Sequence, residues 1–281
     1  MSDEPALKRP SGPSDMASGS TSTKRLRSDA SPAPAAASVL EAFGLFRDEI
    51  DDYNDRRERL IKTSRDVTSL SKKVIFLLHR FDVGDFAPDP SSATQKLLEE
   101  AESKLNHIVG VLKQAAAAEQ LALPERHDRH ERNIGGGLEE FIEALSFYHY
   151  LKTTKLITLQ EVQERFRDVL KVPIHRYLLG LSDLTGELMR FATNAVGQGD
   201  TGRVVHHVLG ITRCLHDTLD PFIPLVNELR KKQAVTRQSL QKIEHILYAI
   251  TVRKAEFAAD PEALQEMLRR SLDSSAPPLT D

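Results

Sequence analysis

A single cysteine, Cys214, is too few for an internal disulfide, so a disulfide framework is excluded and a reducing compartment fits the chain. No apolar run approaches the roughly 18 residues that a membrane-spanning helix needs. The block near Val74–Leu78 is far shorter, and the N-terminus lacks the apolar stretch of a secretory signal. No membrane partner is therefore expected. Gly135-Gly136-Gly137 is not followed by the Lys-Ser/Thr of a phosphate-cradling loop, and no serine or cysteine nucleophile signature is visible. Strand-like alternation and internal repeats are missing too. Net charge is only −3, so a nucleic-acid role has to rest on a local basic face.

Of the 281 residues, 1–37 are built of Ser, Pro, Ala, Gly and Lys/Arg, with Leu7 and Leu26 the branched aliphatics. Such a stretch buries too little apolar surface to offset the entropy of ordering, and a disordered arm is expected. Within it, Lys8-Arg9 and Lys24-Arg25-Leu26-Arg27 have the spacing of a bipartite nuclear-localisation signal, which points to the nucleus as well as the cytoplasm. Residues 38–271 are expected to form one helical domain and 272–281 a disordered tail.

The domain reads as an all-α bundle of about seven helices. From about Val39 to Phe81 there is no proline, and Leu60, Val67, Leu70, Val74, Leu77, Leu78 and Phe81 follow helical steps. Lys62, Arg65, Lys72, Lys73 and Arg80 collect opposite them. Such a stripe is either a solvated surface or a track for a phosphate backbone. Ser92 with Gln95 suits a capping box opening the next helix, and Pro124 the first turn of a third. The three glycines are expected to interrupt or soften that third helix. Thr158 with Glu161 makes a further capping box, and a later helix spans about Ile174 to Val196. Asp220-Pro221 and Asp260-Pro261 read as N-cap plus N1-proline pairs.

Two of these helices carry paired acids: Glu140 with Glu143, and Asp183 with Glu187. Spacings of i,i+3 and i,i+4 put each pair on one helix face. Phe147 and Tyr150 share the face of Glu140 and Glu143, which a purely solvated face has little reason to hold. Asp183, Glu187 and Arg190 fall within an arc of about 60° at the edge of their own helix's apolar stripe. If the two faces meet, four carboxylates converge, and the simplest occupant is a hard divalent cation such as Mg²⁺. Two separate solvated faces are the alternative, and spacing leaves the choice open. Arg190 either neutralises the acids or meets a phosphate.

Other constellations are weaker. Asp51-Asp52-Tyr53-Asn54-Asp55 spells the D-D-x-x-D of isoprenoid synthases, but it precedes Arg56, Arg57 and Arg59 and reads better as a solvated acidic-to-basic turn. His206, His207, Cys214 and His216 share no tight face for zinc. The Glu-x-x-His of a ferritin-like di-iron site is not formed, since Glu143 is followed at +3 by Ser146.

The segments RERLIKTSRDVTSLSKKVIFLLHR (57–80), GLEEFIEALSFYHYLKT (137–153) and YLLGLSDLTGELMR (177–190) resemble the translin family. The likeness continues through VGQGD (196–200) and RQSLQKIEHILYAITVR (237–253), in co-linear order over most of 40–255. The resemblance implies a translin-like fold and assembly with translin into a hollow, roughly octameric shell. It also implies Mg²⁺-dependent endoribonuclease activity on single-stranded RNA, with DNA as a further ligand. Passenger strands of small interfering RNA and leader fragments of precursor tRNA are the implied substrates. Glu140, Glu143, Asp183 and Glu187 match the family's catalytic Glu-x-x-Glu and Asp-x-x-x-Glu motifs, and Arg190 its motif arginine. The alternative is a non-catalytic, nucleic-acid-binding scaffold partnered with translin.

Overall fold

A computed structural model describes residues 34–86 and 90–256. Both basic clusters of the arm, the Asp260-Pro261 pair and the 272–281 tail lie outside those residues. Among the described residues there are seven α-helices, two 3₁₀ turns and no strand. The helices are α1 (Pro34–Leu78), α2 (Ser92–Ala118), α3 (Pro124–Thr153), α4 (Leu159–Phe166), α5 (Ile174–Gly197), α6 (Arg203–Leu219) and α7 (Leu229–Glu256).

The chain divides into two units, up to Ile50 and from Asp51 onward. In the first, the opening of α1 exposes Val39, Leu40, Phe43, Leu45, Phe46 and Ile50. The second unit holds the core and the acid pairs. There the periodic positions Leu60, Val67, Val74, Leu77 and Leu78 of α1 and Phe81 just past its end are buried, as their spacing predicts, and Leu70 is half-buried. Each such side chain contributes about 1.5–3 kcal/mol when fully buried. Helix α5 packs against α3, α6 and α7. Its approach to α3 runs over Gly180, where a Cβ would stand 2.8 Å from Ile142 Cγ2 and 3.0 Å from the Glu139 carbonyl oxygen. That close crossing brings the two acid-bearing helices together. A smaller cluster of Leu178, Leu179, Leu219, Val226 and Leu229 closes the end where α5, α6 and α7 meet.

Three local expectations need correction. The cap of α2 is Ser91, not Ser92: its side chain accepts the Thr94 N–H at 3.3 Å. Adjacent serines offer the same chemistry, and the extended backbone falls at the first of them. The triplet Gly135–Gly137 does not interrupt α3, which runs unbroken from Pro124 to Thr153. It is a contact surface: a Cβ on Gly135 would lie 2.4 Å from Arg176 Nε, and one on Gly137 2.7 Å from the Ser64 carbonyl oxygen of α1. Finally, Asp220 is not an N-cap. Its backbone stays right-handed at the end of α6 and leads directly into the 3₁₀ turn Asp220–Phe222, with Pro221 inside it. The Thr158–Glu161 capping box forms as expected, with Glu161 Oε2 accepting the Thr158 N–H at 2.7 Å.

Candidate functional site

Phe147 and Tyr150 on α3 are fully buried, so the face they share with Glu140 and Glu143 turns inward. Opposite it, α5 presents Asp183 and Glu187. All four carboxylates line one cleft of about 530 Å³, walled by Lys72, Ile75 and Phe76 of α1 and rimmed by Arg190. Glu143 is 9% exposed. Two independent solvated faces therefore do not describe these helices.

Charge accumulates in the cleft and shifts the acids. Burial, then the neighbouring Asp183, Glu140 and Glu187, push the Glu143 carboxyl up to about 9. Among the described residues it has no hydrogen bond or ion pair. Burial also raises Glu140, against the pull of Lys72, whose Nζ is 3.5 Å from Glu140 Oε1. Asp183 is raised by burial even though Lys232 of α7 is bound to its Oδ2. Glu187 goes the other way. Burial pushes its carboxyl up, but the hydrogen bond and charge of His79, with Arg190 behind it, outweigh burial and hold it below the usual range.

The partners of the acids extend into a chain of charges across three helices. Lys232 also reaches Glu139 Oε2 at 3.4 Å. Glu139 is paired with Arg176, which forks onto Glu131 with one contact of 3.2 Å. Glu131 and Glu139 on α3, Arg176 and Asp183 on α5 and Lys232 on α7 thus form one network. Gly135 leaves the room that the Arg176 guanidinium occupies.

This arrangement bears on a metal in two ways. Among the described residues no three His, Cys, Asp or Glu side chains form a ready cage for an ion. Asp183 is engaged by Lys232 and Glu187 by His79, so the acids line the cleft without converging on one point. Yet the donors are all carboxylate oxygens, which suit a hard cation, and buried Glu143 lacks the counter-charge such a cation would bring. The donor chemistry suits Mg²⁺, and holding such an ion would require the release of Lys232 and His79.

Of the basic positions, only Lys72 and Arg190 line the cleft. Arg190 Nη1 lies 3.8 Å from Glu187 Oε2. Lys62, Arg65 and Lys73 of α1 and Arg80 in the turn after it are exposed, with no ion-pair partner among the described residues. The D-D-x-x-D string is exposed at all three aspartates, with Asp52 accepting from Arg56 at 2.8 Å. His207 shares a 2.9 Å hydrogen bond with the Tyr150 hydroxyl, whereas His216 contacts Asp217. A larger cavity of about 1150 Å³ lies between α2, the end of α3 and the start of α6. Its Glu102, Tyr148 and Lys152 are bonded to one another, while its Glu99, Arg203 and His206 are exposed.

Sequence reading missed Lys232, His79 and Glu139. His79 had a usable signal: it continues the Lys72, Ile75, Phe76 face of α1 at i+3 and i+4 steps. Lys232 had none, because its partner Asp183 lies 49 positions away on another helix.

The translin family matches residues 55–254. The translin-associated protein X of Rattus norvegicus is 34% identical over 258 residues, covering 82% of this chain and 84% of the rat protein. Its Schizosaccharomyces pombe homolog is 27% identical over 248 residues, covering 85% and 96% respectively. Among solved structures, the AfC3PO–duplex RNA complex superposes with a TM-score of 0.59 at 22% identity, over 76% of this chain and 98% of that one. Apo-NeC3PO gives 0.51 at 21% identity, over 78% and 99%. The structural likenesses bear on fold, while the sequence match spans the α1 basic face and both acid-bearing helices. This chain belongs to the translin family.

Proposed function

We propose that this chain is the Mg²⁺-dependent endoribonuclease subunit of a hetero-oligomer with translin, hydrolysing phosphodiesters of single-stranded RNA. The observation that carries the reading is the convergence of Glu140, Glu143, Asp183 and Glu187 on one cleft, with buried Glu143 lacking a counter-charge. When bound, Mg²⁺ supplies activation of water and neutralisation of charge at the phosphate. The four carboxylates would hold the ion. Lys232, bonded to both Glu139 and Asp183, would keep Glu139 as its partner if a cation took Asp183. Arg190 at the rim meets a non-bridging phosphate oxygen, and Lys62, Arg65, Lys72, Lys73 and Arg80 carry the backbone along α1. A structure of the same fold, AfC3PO, was obtained with duplex RNA, which supports RNA as the class of ligand. Substrates of the kind implied by the family, small-interfering-RNA passenger strands and precursor-tRNA leader fragments, fit a single-strand cutter.

A second reading has a specific observation behind it. Lys232 and His79 already engage two of the acids, as they would if the cluster only tied helices together in a non-catalytic scaffold. One experiment separates the two. The chain is co-purified with translin and given labelled single-stranded RNA in Mg²⁺, with Glu143→Ala beside wild type and EDTA as control. Cleavage is expected to vanish in the variant and in EDTA while the assembly persists. Equal cleavage by variant and wild type would make this chain a scaffold and move the activity elsewhere.

A further inference from the structure

Phe76 is 72% exposed, although its neighbours Ile75 and Leu77 are buried at 6% and 7%. It is the aromatic side chain in the wall of the acid cleft. On a helix of 3.6 residues per turn, Lys62, Arg65, Lys72, Lys73 and Arg80 fall within an arc of about 100°, and Phe76 sits inside that arc rather than at its edge. A phenyl ring held in water among these cations, of which Lys72 alone has an ion-pair partner among the described residues, has no role in the core.

We infer that Phe76 is a stacking platform for an unpaired nucleobase flanking the phosphate that enters the acid cleft. The inference rests on the nuclease reading above and deepens it by assigning strand preference to a residue. Cations on either side of Phe76 hold the sugar-phosphate backbone along α1, and a flat apolar face between them receives a base. Stacking of this kind tolerates any sequence, because every base has a π-face. It requires a base that is free of a duplex stack, so the ring favours single strands over paired ones. Acting through substrate alone, Phe76 leaves the acids and their ion pairs untouched.

The test uses the assembly in EDTA, where no RNA is cut. This chain contains no tryptophan, so Phe76→Trp adds one reporter, read as the difference from wild-type emission. Oligoadenylate RNA is titrated against an abasic strand of equal length, with anisotropy of labelled RNA followed in parallel. Emission at position 76 is expected to fall as RNA binds and to stay unchanged with the abasic strand. Phe76→Ala should weaken RNA binding by roughly 5- to 150-fold with an unaltered salt slope. Lys73→Ala should instead lower the slope by about 0.7. RNA binding with unchanged emission, and with Phe76→Ala binding as wild type, would overturn the inference and leave the nuclease reading standing. Phe76 would then be a surface for another protein chain. Failure of the wild-type assembly to bind RNA would remove both.

Discussion

Glu143 is buried, unpaired and ringed by three other carboxylates, so in the metal-free protein it keeps a proton until about pH 9. Its folded pKa lies above the ordinary 4.5, so the folded state binds more protons than the unfolded one between those values. The contribution of Glu143 to stability is therefore full below about pH 4.5 and is lost as pH rises toward about 9. Urea denaturation in EDTA across that range is expected to show this decline for wild type and a flatter profile for Glu143→Gln. Identical slopes would mean that Glu143 is solvated. Arg176 is the second residue that matters, since it is held between Glu131 and Glu139. Arg176→Met leaves Glu131 with only His175 and Glu139 with only Lys232 at 3.4 Å, and is expected to cost about 1–3 kcal/mol in the same denaturation. The i,i+3 and i,i+4 spacings were enough to locate the four acids in the sequence. The Arg176 and Lys232 contacts were not legible, because a residue's partner on another helix depends on how the helices are rotated in the bundle.

At the level of the helix, the element pattern was legible from local signals, the caps only in part, and the contacts between helices not at all. The Thr158–Glu161 capping box is written within four residues and forms as written. Thr158→Ala is expected to cost about 1 kcal/mol, measured as a shift in the denaturation midpoint. The glycines of α3 teach the opposite lesson. By propensity alone, Gly137→Ala should stabilise the helix by about 1 kcal/mol. In the fold its Cβ would press on the Ser64 backbone of α1, and the Gly137 N–H that donates to Ser64 Oγ at 2.8 Å would be displaced. Net destabilisation of about 1–3 kcal/mol is expected. A more stable Gly137→Ala protein would contradict the α1–α3 contact. The sequence marks the triplet as unusual, but flexibility and close approach leave the same mark. Only the position of α1 separates them.

For the whole molecule, helical periodicity was sufficient for the all-α class, and co-linear blocks were sufficient for the family. Neither says what holds the acids apart when no cation is present. That task falls to α1 and α7, which bring His79 and Lys232 to the cleft from opposite ends of the chain. The cleft is thus lined from α1, α3 and α5, while His79 just past the end of α1 and Lys232 of α7 engage two of its acids and would have to be displaced by a bound cation. Calorimetric titration of Mg²⁺ into the metal-free assembly, at about pH 7.5 in two buffers of different ionisation enthalpy, tests this most directly. Wild type is expected to take up Mg²⁺ with release of about one proton, that of Glu143, and Glu143→Gln to lose the binding. Mg²⁺ uptake that is absent in wild type, or equal in the two proteins, would contradict a metal centre in this cleft.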